Sequence, residues 1–131
     1  MSKTNLPQYS YSKLGNKYNL ADIEPLDKDY HDELRRITKL NDNHICFDCG
    51  TTPTNWVSIN LGIFLCVDCA QIHRGVGTHI SKIKSTGGSY RWHPDEMELI
   101  SNMGNKIGKE LYGDSKCKPS NNDFVIRKYS K

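Results

Sequence analysis

The chain has 131 residues, of which 36% are hydrophobic and 25% charged, and its formal net charge is +3. This length fits a single domain with a modest core and argues against a second independently folded unit. The charge is too mild to announce a nucleic-acid binder, and no stretch approaches the roughly 18 consecutive apolar residues of a membrane helix.

Residues 1–25 are polar, with Pro7, Gly15 and several Ser and Asn but no periodicity, and read as a flexible N-terminal arm. They lack the apolar run of a signal peptide. Ser2 stands where myristoylation needs Gly, and the tail Arg127 to Lys131 has no prenylation cysteine, so a cytosolic or nuclear location without a lipid anchor is expected. In such a reducing compartment the five cysteines need an explanation other than disulfides.

From about Asp27 to Leu40 the apolar positions Tyr30, Leu34, Ile37 and Leu40 recur every three or four residues, which predicts an amphipathic helix ended by Asn41-Asp42-Asn43. Trp56 to Leu61 alternates from Val57 onward, and Gly62 separates it from Ile63-Phe64-Leu65, so two short strands joined by a turn are expected. Ala70 to Arg74 suits about two helical turns before Gly75 and Gly77. Ile80 to Lys84 alternates again as a third strand, broken at Gly87-Gly88. Pro94 fits the first turn of a helix with an apolar stripe of Met97, Ile100 and Met103, and a last helix from about Asn105 is expected to bury Ile107 and Leu111. Residues 26–112 thus form the folded unit, and 113–131 read as a polar C-terminal tail. Cys69 to Pro94 contains no acidic residue but holds Arg74, Lys82, Lys84, Arg91, His73, His79 and His93, a positive face suited to an acidic partner or simply a solvated surface.

The strongest chemical signal is Cys46-x2-Cys49-x16-Cys66-x2-Cys69. Two C-x-x-C turns one small hairpin apart bring four thiolates into a tetrahedron around zinc. Four sulfur ligands leave no position for water, so one structural Zn²⁺ is expected rather than a catalytic one. Free thiols, a redox pair and an iron-sulfur cluster fit the pattern less well. Cys117 stands outside it and reads as a free thiol.

The residues between the cysteines narrow the choice. Cys46-x-x-Cys49-Gly50, Trp56, Ser58, Asn60 to Cys66, Cys69 followed by His73-Arg74-Gly75, then Gly77 to Ser81 and Lys84-Ser85 closely resemble the zinc-finger domain of Arf GTPase-activating proteins (ArfGAP). Trp92-His93-Pro94 and Gly104-Asn105 extend the likeness more loosely. The resemblance implies an α+β fold, with a small three-stranded antiparallel sheet and the four-cysteine zinc site surrounded by several α-helices. It implies GTPase activation toward a GTP-bound small GTPase of the Arf family, with Arg74 supplied in trans as an arginine finger. A planar guanidinium stabilises charge on the phosphate oxygens of the transition state and raises the rate by roughly 10³ to 10⁵. The protein would then regulate an enzyme rather than turn over a substrate of its own. This chain has no P-loop, since Gly104 to Lys109 is one residue short and lacks the Ser or Thr that holds magnesium.

By the same resemblance Trp56 and Val67 contribute to the GTPase contact, although each also reads as a packing residue. His79, Lys82 and Lys84 form either an electropositive approach to the GTPase or to anionic membrane, or a solvated strand face. His73 is expected to hydrogen-bond or pack, because four cysteines already saturate the metal. The family usually continues after Ser85 with a Leu-Asp pair whose acid precedes the tryptophan by two residues; here one residue is inserted and Tyr90 stands in place of the acid. Lys109 stands where the family often has Asn. A non-catalytic Arf-binding module of the same fold is therefore an alternative. A GATA-like DNA-binding zinc finger is a remote one, disfavoured because one Arg before two glycines is too little for phosphate contacts. The expected protein is a monomer without nucleic-acid partners, serving vesicle trafficking in the cytoplasm, either free or peripheral at Golgi or endosomal membranes.

Overall fold

The structure is a computed structural model, and it describes residues 8–87, 90–117 and 122–130. Gly88, and with it part of the expected Gly87-Gly88 break, lies outside the described residues.

The chain opens with a hairpin in which β1 (Tyr9–Tyr11) pairs antiparallel with β2 (Lys17–Asn19) in the register Ser10 opposite Tyr18. Asn19 then caps α1 (Leu20–Ile23) by accepting the Ala21 N–H, and a 3-10 turn at Glu24–Leu26 leads into α2 (Asp27–Thr38). The buried side of α2 is Leu34, Ile37 and His31, while Asp32 pairs with Lys28 and Arg35, and Glu33 with Arg36, on the outer side. Leu40, expected on the apolar stripe, is exposed because the helix has already ended.

Central to the molecule is a three-stranded antiparallel sheet of order β4-β3-β5, formed by β3 (Trp56–Ser58), β4 (Ile63–Leu65) and β5 (Ile83–Ser85). Two apolar clusters flank it. Ile63 and Leu65 join Phe47, Ile80, Ile83 and the cysteines on one side, and Val57 and Phe64 join Leu34, Ile37, Trp92, Met97 and Ile100 on the other. Alternation along β4 thus feeds both clusters, as a strand buried on both faces must. Its outer edge is not left open: the Phe64 N–H donates to Asn105 Oδ1 (2.7 Å), and the Phe64 carbonyl accepts the Phe47 N–H (3.0 Å). The third strand lies further along the chain than the Ile80 to Lys84 expected. Asn60 occupies the earlier backbone, donating to the Ile80 carbonyl (2.9 Å) and accepting the Lys82 N–H (2.8 Å).

Helix α3 (Val67–Val76) follows β4 directly, α4 (Pro94–Ser101) starts at Pro94 as expected, and α5 (Asn105–Tyr112) follows. The face of α5 differs from expectation: Ile107 and Leu111 are exposed, and Asn105 and Gly108 are buried. A Cβ on Gly108 would lie 2.9 Å from Ile63 Cγ2 and 3.0 Å from Phe47 Cε1, so the helix meets the sheet along its glycine side and turns its apolar pair outward.

The two ends of the chain also differ from the polar arm and tail expected. The hairpin is fastened to the start of α4: Ser12 Oγ and Asn16 Nδ2 donate to Asp95 (2.7 and 2.6 Å), and the Lys13 N–H donates to Glu96 (2.6 Å). Beyond residue 113, α6 (Asn122–Tyr129) buries Val125 and Tyr129 in the cluster that includes the cysteines. No helix of the described residues is long and apolar enough to cross a membrane.

Candidate metal centre and arginine face

Cys46 and Cys49 lie on a turn closed by the Gly50 N–H to the Cys46 carbonyl (2.9 Å), with Gly50 at φ 82°, a conformation that favours glycine. Cys66 follows β4 and caps α3, and Cys69 lies in the first turn of that helix. The four sulfurs lie within 4.8 Å of one another, and Cys49 and Cys66 are 3.6 Å apart. A zinc-sulfur bond of about 2.3 Å sets tetrahedral sulfurs about 3.8 Å apart, so the cluster has the dimensions of a closed metal site. As thiols, Cys46, Cys66 and Cys69 compete for charge. A hydrogen bond from Cys69 draws Cys46 down to about 5, whereas burial pushes Cys66 up to about 11, and the bond to Cys46 together with burial raises Cys69. A dication that binds all four as thiolates would remove this conflict.

Asp48, between the first two ligands, is 1% exposed. Its Oδ2 accepts from His73 Nε2 (2.6 Å) and its Oδ1 from the Tyr129 hydroxyl (2.5 Å). Burial, and then the charge on Asp48, raises the Tyr129 pKa far above its ordinary value and keeps the phenol a donor. His73 Nδ1 meets Ser81 Oγ at 2.7 Å, so this histidine hydrogen-bonds and packs, as expected, and is not a ligand.

Next along α3, Arg74 is exposed in the last turn, where its own carbonyl accepts the Gly77 N–H (3.4 Å). Gly77 at φ 107° ends the helix, whereas Gly75 continues it. The Arg74 guanidinium lies 5.0 Å from the centre of the Trp56 ring, and Trp56 meets Tyr90 edge-on at 5.9 Å. Arg74 has no carboxylate partner among the described residues.

The remaining expected contact residues are not all on the surface. Val67 is 50% exposed, His79 is exposed, and Lys82 is half-buried with its ammonium on the Thr78 carbonyl (2.6 Å). Lys84 is a correction: it is buried, and its Nζ donates to Glu96 Oε1 (2.7 Å) and the Arg91 carbonyl (2.6 Å), so it serves the core rather than an exposed electropositive approach. Burial pushes its pKa down while Glu96 works against that shift. Sequence reasoning missed Asp48, Tyr129 and Ser81. Asp48 carried a signal as a small acid enclosed between two ligands, and Ser81 as the last residue of the Gly77 to Ser81 motif; Tyr129 carried none.

The sequence matches the ArfGap family model, described as "Putative GTPase activating protein for Arf", over residues 31–130. The chain belongs to the ArfGap family. The match includes α6, beyond the end expected at 112, and begins after the hairpin. Over 102 residues this ArfGap chain is 37% identical to the "Probable ADP-ribosylation factor GTPase-activating protein AGD15" of Arabidopsis thaliana, covering 74% of this chain and 43% of that protein. Over 79 residues it is 38% identical to "Stromal membrane-associated protein 1" of Mus musculus, covering 60% of this chain and 18% of that protein. It therefore spans less than half the length of these relatives. Among solved structures, the ArfGap domain of HIV-1 Rev binding protein superposes with a TM-score of 0.68 at 25% identity, covering 83% of this chain and 89% of that one. The ArfGap domain of human RIP has the same fold, with a TM-score of 0.64 at 23% identity, covering 76% and 81%. The four clustered cysteines fit the zinc finger of the family.

Proposed function

We propose that this ArfGap domain accelerates GTP hydrolysis on a GTP-bound Arf-family GTPase, with Arg74 entering the GTPase site in trans and one zinc ion as a structural scaffold. The observation that carries the reading is the state of Arg74: an exposed guanidinium without a carboxylate partner among the described residues, on a helix whose N-cap and first turn supply two of the four clustered cysteines.

Magnitudes favour the reach. Leaving the Trp56 face costs about 0.5–1 kcal/mol for an exposed cation–π contact. Stabilising phosphoryl-transfer charge by 10³ to 10⁵ is worth about 4–7 kcal/mol. Trp56 holds the arginine on the surface without sequestering it. The GTPase supplies the nucleotide, magnesium and P-loop, and this chain supplies the cation. Val67, His79 and Lys82 are the remaining candidates for the GTPase contact. The partner's working place implies a peripheral location at Golgi or endosomal membranes.

A second reading has one specific observation behind it: Tyr90, standing where the family has an acid, leans on Trp56 beside Arg74. In that reading the domain binds the GTPase without accelerating hydrolysis. Hydrolysis by a panel of Arf-type GTPases, measured with the wild type and with Arg74→Ala, separates the two. Stimulation by the wild type that Arg74→Ala abolishes supports activation; GTP-dependent binding with no gain in rate supports the binding module.

A further inference from the structure

Five side chains form one hydrogen-bonded line across the domain, from α6 to the central strand. Tyr129 donates to Asp48 (2.5 Å), Asp48 accepts from His73 (2.6 Å), His73 meets Ser81 (2.7 Å), and Ser81 meets Ser58 (2.7 Å). All are at most 8% exposed, so water does not compete for these bonds. His73 is bonded at both ring nitrogens, to Asp48 through Nε2 and to Ser81 through Nδ1, and Ser58 Oγ also donates to Asn60 Oδ1 (3.3 Å).

Two members of this line, His73 at its middle and Ser58 at one end, adjoin the arginine face. His73 immediately precedes Arg74 in the last turn of α3, where a helix frays most readily. Ser58 lies two residues from Trp56 on β3, hence on the same side of the strand. Both Asp48 oxygens are used on His73 and Tyr129, so its side chain links helices rather than serving the thiols. We infer that Asp48 and Tyr129 are positioning residues for Arg74: α6 fixes Asp48, which holds His73, and through it the backbone from which the arginine extends. The inference rests on the arginine-finger reading. It gives α6 a part in activation although α6 presents no group to the GTPase in this scheme. Geometry makes the effect large, since misplacing a reacting group by about 1 Å can cost roughly 10²-fold in rate.

The test uses the whole chain with bound zinc in single-turnover GTP hydrolysis on an Arf GTPase, varying the concentration of the domain to separate maximal rate from half-saturation. Tyr129→Phe keeps the ring and removes only the hydroxyl; Ser81→Ala cuts the line on the other side of His73. Ile37→Val, in the opposite cluster, is the control for lost stability, and Arg74→Ala the control for the finger. Expected are maximal rates about tenfold lower for Tyr129→Phe and Ser81→Ala, with half-saturation and zinc content unchanged, and a rate near wild type for Ile37→Val. If Arg74→Ala abolishes stimulation while Tyr129→Phe and Ser81→Ala keep the wild-type maximal rate, or lose no more than Ile37→Val, the positioning role is overturned and the finger stands. If Arg74→Ala stimulates fully, the finger reading falls, and the positioning role falls with it.

Discussion

Replacing Asn105 by Ala isolates the contribution of one buried amide to the fold. Asn105 is 1% exposed; its Oδ1 accepts the Phe64 N–H (2.7 Å), and its Nδ2 donates to the Ile45 carbonyl (2.7 Å) and more loosely to Asp42 and Phe64. The substitution strands the Phe64 N–H, since β4 is the edge of the sheet and no neighbouring strand can take that donor. It also strands the Ile45 carbonyl, whereas Phe64 O keeps its bond from Phe47. Each of these two groups left without a partner costs about 1–3 kcal/mol, so the loss should be at most about 2–6 kcal/mol, toward the lower end because the Ile45 carbonyl is only part-buried. Helix propensity returns under about 1 kcal/mol, because Ala is the better helix former. Urea unfolding at saturating zinc reads the change, with Asn102→Ala as the control, since that exposed side chain makes a single local bond to the Glu98 carbonyl (2.9 Å). A loss below about 1 kcal/mol for Asn105→Ala, or a similar loss for Asn102→Ala, would refute the claim that Asn105 closes the sheet edge.

The N-terminal hairpin should detach in acid before the rest of the domain. Burial disfavours the Asp95 carboxylate, but donors from Ser12, Asn16 and the Glu96 N–H outweigh it and hold its pKa below the ordinary 3.8. A depressed carboxylate stabilises fully above that ordinary value, and its contribution is lost as pH falls through the folded one. Amide protection factors in residues 9–19, taken relative to the intrinsic exchange rate at each pH, should therefore fall as the pH drops below about 4, and Asp95→Asn should weaken that dependence; pH-independent protection of the hairpin would contradict the assignment. Removing the metal should be drastic. Structural zinc contributes on the order of 10 kcal/mol, comparable to the whole stability of a domain, so excess chelator should leave the chain largely unfolded. Elemental analysis should find one zinc per chain, and a native melting transition that survives chelation would refute the role of the four cysteines.

What the sequence revealed and what it concealed divide along the range of the interactions. The metal ligands were legible because C-x-x-C is a local geometry, and α2 and α4 because their periodicity and Pro94 are local too. The hairpin was not, since its strands are three residues long and its fastening comes from Asp95 and Glu96, about 80 residues away. Lys84 looked like a solvated position because charge implies exposure on average; a buried carboxylate at Glu96 reverses that. The face of α5 misled for the opposite reason: its contact is a glycine, invisible to an apolar count, and Ile107 and Leu111 are left to solvent. Tyr129 gave no sign at all, because a tyrosine in a polar tail acquires meaning only beside Asp48. Arg74 became a candidate through its surroundings in the sequence, and the structure adds that it is exposed and rests on Trp56.

The most direct test of the central claim is single-turnover GTP hydrolysis on an Arf GTPase with saturating wild-type domain or Arg74→Lys. Lysine keeps the charge but loses the planar fork that donates several oriented bonds. The expected result is stimulation by the wild type and a rate on the order of 10²-fold lower for Arg74→Lys, with zinc content and melting temperature unchanged. An Arg74→Lys domain as active as the wild type would contradict the account.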